Sequence, residues 1–210
     1  MDVTLWLAFA AASAALLLIP GPTVLLVLSY ALSKGRPVAV ASALGVAFGD
    51  LIAMTASLAG LGTLVMTSAT LFTALKWVGA AYLLWLGIKL WRSASGSSGL
   101  EHLASPDAVT ARGVFGHMAV VTALNPKSIA FFIAFVPQFI RPSDALAPQF
   151  VTLIATFVAL AAVNAMAYAL LADRLRRWIA RPTAIAHLTR VGGGALIAMG
   201  LATALLRRPT

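Results

Sequence analysis

Long apolar runs, separated by short polar or charged gaps, set the pattern of this chain. A helix needs about 20 predominantly apolar residues to cross the hydrocarbon core of a bilayer. Six runs approach or exceed that length, at about residues 4 to 30, 38 to 62, 69 to 91, 113 to 136, 148 to 172 and 185 to 206. The pattern therefore predicts an all-α membrane protein with six transmembrane helices.

The gaps between the runs predict how the chain is organised. Between the second and third runs there is only a short polar stretch, 62–70, which predicts a tight connection. The gap after the third run contains a Ser- and Gly-rich stretch, 93–99, which predicts a flexible loop. We expect a first three-helix repeat at 1–92, a flexible cytoplasmic loop at 93–112 and a second three-helix repeat at 113–210, together forming one transmembrane domain.

The amino-acid composition is also typical of a protein embedded in a lipid bilayer. The 210 residues are 61% hydrophobic and 10% charged, whereas soluble domains carry about 25% charged residues. A net charge of +9 is also found in nucleic-acid-binding proteins, but those need a basic face on a folded domain. Here the cations lie in the gaps between apolar runs, so we expect membrane lipid and no nucleic acid as partner.

The cations also predict an orientation, because loops kept in the cytoplasm are rich in Lys and Arg. One side has ten of them: Lys34, Arg36, Lys89, Arg92, Arg112, Arg174, Arg176, Arg177, Arg181 and Arg190. The other side has four: Lys76, Arg141, Arg207 and Arg208. The loops after the first, third and fifth helices are therefore predicted to be cytoplasmic, with both termini outside.

The two halves of the chain resemble each other. Val78-Gly79, Leu83 and Gly87 in the third run recur 113 residues later, as Val191-Gly192, Leu196 and Gly200 in the sixth. Pro20-Gly21-Pro22 in the first run has a counterpart 104 residues later in Asn125-Pro126 of the fourth. Because each copy has an odd number of helices, the second enters the membrane upside down. An inverted three-plus-three repeat is a transporter architecture.

The matched prolines predict that helices one and four are broken. Proline lacks a backbone donor and clashes with the preceding turn, and the polar groups freed by a break need partners in protein or water. Two breaks at matching places, Pro20-Gly21-Pro22 and Asn125-Pro126-Lys127, would point half-helix N-termini at an anionic substrate group. The alternative is that each proline only kinks its helix for packing.

Three polar residues inside the spans are further candidates for a transport path. Asp50 is the only acidic residue in a predicted span, and burial favours the protonated form of a carboxyl group, so it is a candidate proton carrier. Lys127 could meet a substrate carboxylate or the Asp50 charge, or extend its ammonium to the membrane surface. Asn164 lies 114 residues after Asp50 and could be its neutral counterpart, or form an ordinary interhelical hydrogen bond.

Other chemistry finds little support in the sequence. There is no Cys, and the three His residues, His102, His117 and His187, are scattered, so no metal site, cofactor or metal-exporting function is predicted. An intramembrane enzyme would need a nucleophile and a base at membrane depth, and no His lies centrally in a span. We therefore predict that the protein is not an enzyme. Small-residue faces such as Gly45 and Gly49 permit a homodimer without requiring one.

An ordered set of motifs resembles the LysE/RhtB family of bacterial amino-acid exporters over nearly the whole chain. The motifs are Pro20-Gly21-Pro22, Gly45 to Gly49-Asp50, Lys76-Trp77-Val78-Gly79-Ala80-Ala81-Tyr82-Leu83, Asn125-Pro126-Lys127, Phe131-Phe132 and Pro137-Gln138-Phe139. The resemblance implies a multi-pass protein of the bacterial inner membrane that exports amino acids or close derivatives from the cytoplasm, driven by the proton gradient. It also places Asp50, Lys127 and both proline breaks in the transport path. The alternatives are an exporter of another small solute or cation, and a non-catalytic pore or assembly subunit.

Overall fold

The computed structural model describes residues 1–19, 21–34, 36–67, 69–93, 110–141, 143–172 and 182–205. Regular secondary structure in these residues is entirely helical. The α-helices are α1 (Val3–Leu18), α2 (Pro22–Lys34), α3 (Arg36–Thr67), α4 (Ala69–Ser93), α5 (Ala111–Ala123), α6 (Pro126–Ala134), α7 (Leu146–Leu170) and α8 (Pro182–Leu205), and one 3₁₀ helix spans Val136–Phe139. The all-α prediction is therefore confirmed for the described residues.

Both predicted helix breaks are present. The first apolar run is divided into α1 and α2, which are bent by 56° relative to each other. The fourth is divided into α5 and α6 with its 3₁₀ extension, with a bend of 45°. Pro22 and Pro126 each occupy the first position of the helix after the break, where the missing amide proton costs no helical hydrogen bond. Pro20 lies outside the described residues.

Some helix ends differ from the sequence prediction. A tight connection was predicted within residues 62–70, and the helix bounds agree with it: α3 continues through Thr67 and α4 begins at Ala69, so the helices extend into most of the polar stretch. Most of the predicted 93–112 loop lies outside the described residues, as do Arg174, Arg176, Arg177 and Arg181 of the predicted cytoplasmic side. α5 begins after Thr110, whose hydroxyl accepts a hydrogen bond from the Gly113 amide at 3.2 Å.

By length and hydropathy, the described residues contain two to four candidate membrane spans. Arg36–Gly60 and Leu146–Leu170 are each long and apolar enough alone, and each of the two bent pairs qualifies as one span. Ala80–Lys89 and Gly193–Leu205, within α4 and α8, are shorter apolar segments. The count of six spans therefore stays a prediction.

α3 is the central helix. It packs against α5, α6 and α7, and 56% of its apolar window is buried, against 22% for the window in α7. Gly45 and Gly49 allow the close approach of α5: a methyl group at these two positions would lie 2.5 Å from the carbonyl oxygens of Phe115 and Ala119, respectively. This face of small residues is thus used inside the chain, and a homodimer stays a prediction.

α4 and α8 form the second close helix pair. A methyl group at Gly87 would lie 2.7 Å from the carbonyl oxygen of Gly193, and one at Gly200 would lie 3.0 Å from that of Ala80. The repeated leucines Leu83 and Leu196 are both fully buried. The repeated small residues therefore define where the two backbones meet.

The largest core cluster holds the short helix α6 in place. Phe131 and Phe132 are both fully buried, and their ring centroids lie 5.8 and 4.8 Å from that of Phe157 on α7. Phe9 of α1 packs edge-to-face on Phe139 of the 3₁₀ helix, with 5.4 Å between ring centroids. These aromatic contacts fix α6 against α7 and α1 against the 3₁₀ helix, and so help to position the polar residues at the breaks.

Candidate functional site

The broken end of α1 is bound by side chains from other helices. A helix leaves its last four carbonyl groups without intrahelical partners. The ammonium of Lys127, in the first turn of α6, donates to the carbonyl oxygens of Leu16 and Ile19, both at 3.2 Å. A cation at a helix C-terminus also interacts favourably with the helix dipole. The charge of one broken span thus stabilises the break in the other.

Two residues of α7 bind the carbonyl groups of α1 that lie between Leu16 and Ile19. Asn164 donates its side-chain amide to the carbonyl oxygen of Leu17 at 3.0 Å, and the Tyr168 hydroxyl donates to that of Leu18 at 3.3 Å. Asn164 and Tyr168 are four residues apart, so they lie on one face of the helix. The interhelical hydrogen bond considered for Asn164 is therefore present. The role of Tyr168 was missed in the sequence, where only its spacing from Asn164 pointed to it.

Asn125 joins the two breaks. Its side-chain oxygen accepts from the Lys127 amide at 3.0 Å, which caps the N-terminus of α6. Its side-chain nitrogen donates to the hydroxyl of Thr23, in the first turn of α2, at 3.1 Å. One buried amide therefore connects the N-terminal ends of the two half-helices that follow the breaks.

Asp50 lies opposite these residues on α3. It is only 2% exposed, and its Oδ1 atom has no hydrogen-bond partner among the described residues. Its charge and that of Lys127 attract each other, yet no ion pair of 4.0 Å or less joins the two. Their direct pairing, one alternative from the sequence, is thus not observed.

One cavity brings the predicted polar residues together. Asp50, Asn125, Lys127 and Asn164 all line it. Gly21 faces the same place: a methyl group added there would lie 3.4 Å from the Lys127 ammonium nitrogen. Pro22 and Pro126 contribute by starting α2 and α6. The cavity is also lined by four polar residues that the sequence did not single out, Thr23, Thr122, Ser128 and Tyr168.

The cavity is small in this state. About 30 Å³ is open to the centres of water molecules, which is room for roughly two of them. A solute larger than this therefore needs the lining helices to move apart. Because Lys127 is bound to α1 from its position on α6, a separation of α1 from α6 would stretch or break its hydrogen bonds.

The described residues contain no candidate metal site. Within the described ranges no group of three or more His, Asp or Glu residues lies close enough to hold a metal ion. Asp50, Lys127, Asn125 and Asn164 offer instead one carboxylate, one ammonium and two amides, a set suited to a small zwitterion.

The chain's similarity to known proteins agrees with this geometry. Residues 14–207 match the model of a protein family described as LysE type translocator. The chain belongs to this family. The LysE match spans both helix breaks and all the polar residues that line the cavity.

The similar proteins include named efflux proteins. A homoserine/homoserine lactone efflux protein of Salmonella typhimurium is 36% identical over 203 residues, which cover 96% of this chain and 97% of that protein. A leucine efflux protein of the same organism is 35% identical over 134 residues, which cover 64% of this chain and 61% of that protein. An uncharacterized membrane protein of Vibrio cholerae is 33% identical over 96% of this chain and 97% of its own length. No solved structure matches the chain.

Proposed function

We propose that this LysE-family chain is a secondary transporter of the bacterial inner membrane that exports amino acids or close derivatives, coupled to the proton gradient. One observation carries the proposal: the buried, unpaired carboxylate of Asp50 faces a cavity between two broken helices, opposite the bound ammonium of Lys127. Ionisable groups inside a membrane are costly and mark substrate or proton paths. The similarity to homoserine and leucine efflux proteins supports amino acids as the substrate class.

The architecture belonging to this function is six spans in an inverted three-plus-three repeat, with both termini outside. The α4 and α8 contacts support the repeat. Gly87 lies against Gly193, and Gly200 lies against Ala80. The same offset of 113 residues relates Ala80 to Gly193 and Gly87 to Gly200, so exchanging the two halves exchanges the two contacts. A pseudo-two-fold axis between α4 and α8 accounts for this symmetry.

The substrate carboxylate and ammonium need opposite partners. Ionised Asp50 is the partner for the ammonium. The carboxylate is received by the N-terminus of α6, or by Lys127 once its ammonium leaves the α1 carbonyls. When substrate binds from the cytoplasm, Lys127 therefore exchanges its hydrogen bonds to the α1 carbonyls for one to the substrate carboxylate. This exchange accompanies the separation of α1 from α6.

Proton coupling follows from Asp50. A proton arriving from outside neutralises its carboxylate, which removes the attraction for the substrate ammonium and favours release. Proton entry and substrate exit then alternate at one group. A passive pore or assembly subunit has no need for a buried acid at the cavity. A cation exporter would place its substrate beside the Lys127 charge.

Efflux from proteoliposomes tests the proposal. Vesicles holding the full chain are loaded with labelled L-leucine or L-homoserine, and efflux is followed with and without an imposed proton gradient. We expect gradient-dependent efflux by wild type, loss of that dependence in Asp50→Asn, and normal efflux in the matched control Asp144→Asn, whose residue is exposed in the connection before α7.

Each result separates the alternatives. If Asp50→Asn exports as wild type does, the coupling scheme is wrong. Wild-type flux that ignores the gradient identifies a pore. If correctly inserted protein moves no amino acid, the chain carries another solute or does not transport.

A further inference from the structure

Thr122 lies beside Asp50 at the cavity. It is in the last turn of α5, just before the break, and is 1% exposed. A methyl group at Gly49 would lie 2.7 Å from the Thr122 Cβ atom. Thr122 is thus in direct contact with the residue that precedes Asp50, and both Thr122 and Asp50 line the cavity.

The Thr122 hydroxyl is buried without a partner. A threonine inside a helix can donate to the carbonyl four residues earlier, as Thr152 donates to Pro148 at 2.9 Å and Thr203 donates to Met199 at 2.8 Å. Thr122 Oγ1 has no such bond and no other partner in the described part of the chain. A buried polar atom left unpaired is unfavourable, so a ligand that pairs with it gains a hydrogen bond at little cost.

Two residues that line one small cavity therefore each carry a buried oxygen without a hydrogen-bond partner, Oδ1 of Asp50 and Oγ1 of Thr122. Because the two oxygens are not bonded to each other, each can accept a hydrogen bond from a ligand. Resting on the function proposed above, we infer that Asp50 and Thr122 together bind the α-ammonium group of the exported amino acid. Thr122 is then a specificity-determining residue for a primary ammonium.

The chemistry of the two oxygens selects an ammonium over a carboxylate. An ammonium group has three donors and no acceptor, so it satisfies a carboxylate and a hydroxyl oxygen at once. A substrate carboxylate would be repelled by ionised Asp50. The ammonium already present, that of Lys127, is bound to the carbonyls of Leu16 and Ile19 and leaves both oxygens open.

Three small molecules with the same branched carbon chain test which substrate group contacts Thr122. L-leucine carries both charged groups, 4-methylpentanoate lacks the ammonium, and 3-methylbutylamine lacks the carboxylate. Equilibrium binding of each is measured on the detergent-solubilised full chain for wild type, Thr122→Val, Thr122→Ser and Thr152→Val. Valine keeps the shape of threonine and removes its hydroxyl, serine keeps the hydroxyl, and Thr152 is an exposed matched control whose hydroxyl is already paired.

We expect Thr122→Val to weaken leucine and amine binding about tenfold or more, the effect of losing one hydrogen bond to a charged group. The binding of 4-methylpentanoate should be unchanged, and Thr122→Ser and Thr152→Val should bind as wild type does. The inference is wrong if Thr122→Val weakens the binding of all three probes equally, if it weakens the binding of none, or if wild type binds no probe.

Binding and export are measured separately, so the inference and the proposed function can fail independently. If Thr122→Val binds leucine as wild type does while wild type exports amino acids, only the role of Thr122 is refuted. If binding of the ammonium depends on Thr122 but wild type exports no amino acid, only the proposed function is refuted.

Discussion

The ammonium nitrogen of Lys127 lies 3.2 Å from the carbonyl oxygen of Ile19. The two residues are 108 positions apart. Ile19 comes just before the first helix break, and Lys127 comes just after the second. The cation at the start of α6 thereby replaces a hydrogen-bond donor that the broken α1 lacks. This contact couples the two broken spans through a charge, beside the Asn125–Thr23 hydrogen bond and the Phe9–Phe139 contact.

Removing that charge should destabilise the protein and abolish export. Lys127→Met keeps most of the side-chain length but leaves the carbonyls of Leu16 and Ile19 without their ammonium donor. We expect the free energy of unfolding to fall by at least about 2 kcal/mol, measured by thermal unfolding in detergent. The control is Lys89→Met, because Lys89 is exposed and lies 5.0 Å above the Trp85 ring, where a loss below about 1 kcal/mol is expected. Equal midpoints for both variants would contradict the role of Lys127.

The amide of Asn164 should not tolerate a carboxylate. In Asn164→Asp an ionised oxygen would face the Leu17 carbonyl, where the native amide nitrogen now donates. We expect a loss of about 1 to 3 kcal/mol of stability. Tyr168→Phe, which removes only the 3.3 Å bond to Leu18, should lose less than Asn164→Asp. The reverse order in thermal unfolding would show that the α7 amide does not hold the end of α1.

The two roles of Asn125 can be separated. Asn125→Ala loses both the cap of α6 and the bond to Thr23, with an expected cost of about 1 to 2 kcal/mol. Asn125→Asp keeps an oxygen that can accept from the Lys127 amide and loses only the donor to Thr23. Its unfolding midpoint should therefore lie between those of Asn125→Ala and wild type. An aspartate variant less stable than the alanine variant would contradict this assignment of the cap.

The glycines between α4 and α8 should not accept a methyl group. In Gly87→Ala the new carbon would lie 2.7 Å from the Gly193 carbonyl oxygen, so the helices must separate, at a cost of about 1 to 3 kcal/mol. Gly116→Ala is the matched control on α5, where a new methyl group meets no atom within 4 Å. The control should be neutral or up to about 1 kcal/mol more stable, because alanine favours the helix. Equal stability of both variants would refute the close packing.

Much of the site was predictable because intramembrane polar residues are rare. Asp50, Asn125, Lys127 and Asn164 stand out in apolar runs by type alone, and all four line one cavity. Thr122 and Tyr168 did not stand out. Threonine is common where membrane helices pack, and tyrosine is common at their ends, so only the neighbours of each hydroxyl distinguish a bound group from an unpaired one.

The hydrogen-bond partners of these residues were harder to predict from the sequence. Lys127 was expected to meet a substrate carboxylate or the Asp50 charge, or to extend to the membrane surface, and the sequence did not point to the backbone carbonyls of α1 that its ammonium binds. Carbonyl groups carry no sequence signal, since every residue has one. Which of them a side chain reaches depends on how the helices cross.

The sequence by itself determined the apolar helices, their two proline breaks, the polar residues between them and membership of the translocator family. These follow from local properties: the length of apolar runs, the missing amide proton of proline and the rarity of charge. Only the tertiary structure decided that Lys127 and the residues of α7 bind the end of α1, while Asp50 and Thr122 stay unpaired. Those pairings depend on distances between helices far apart in the chain, and such distances are determined by packing.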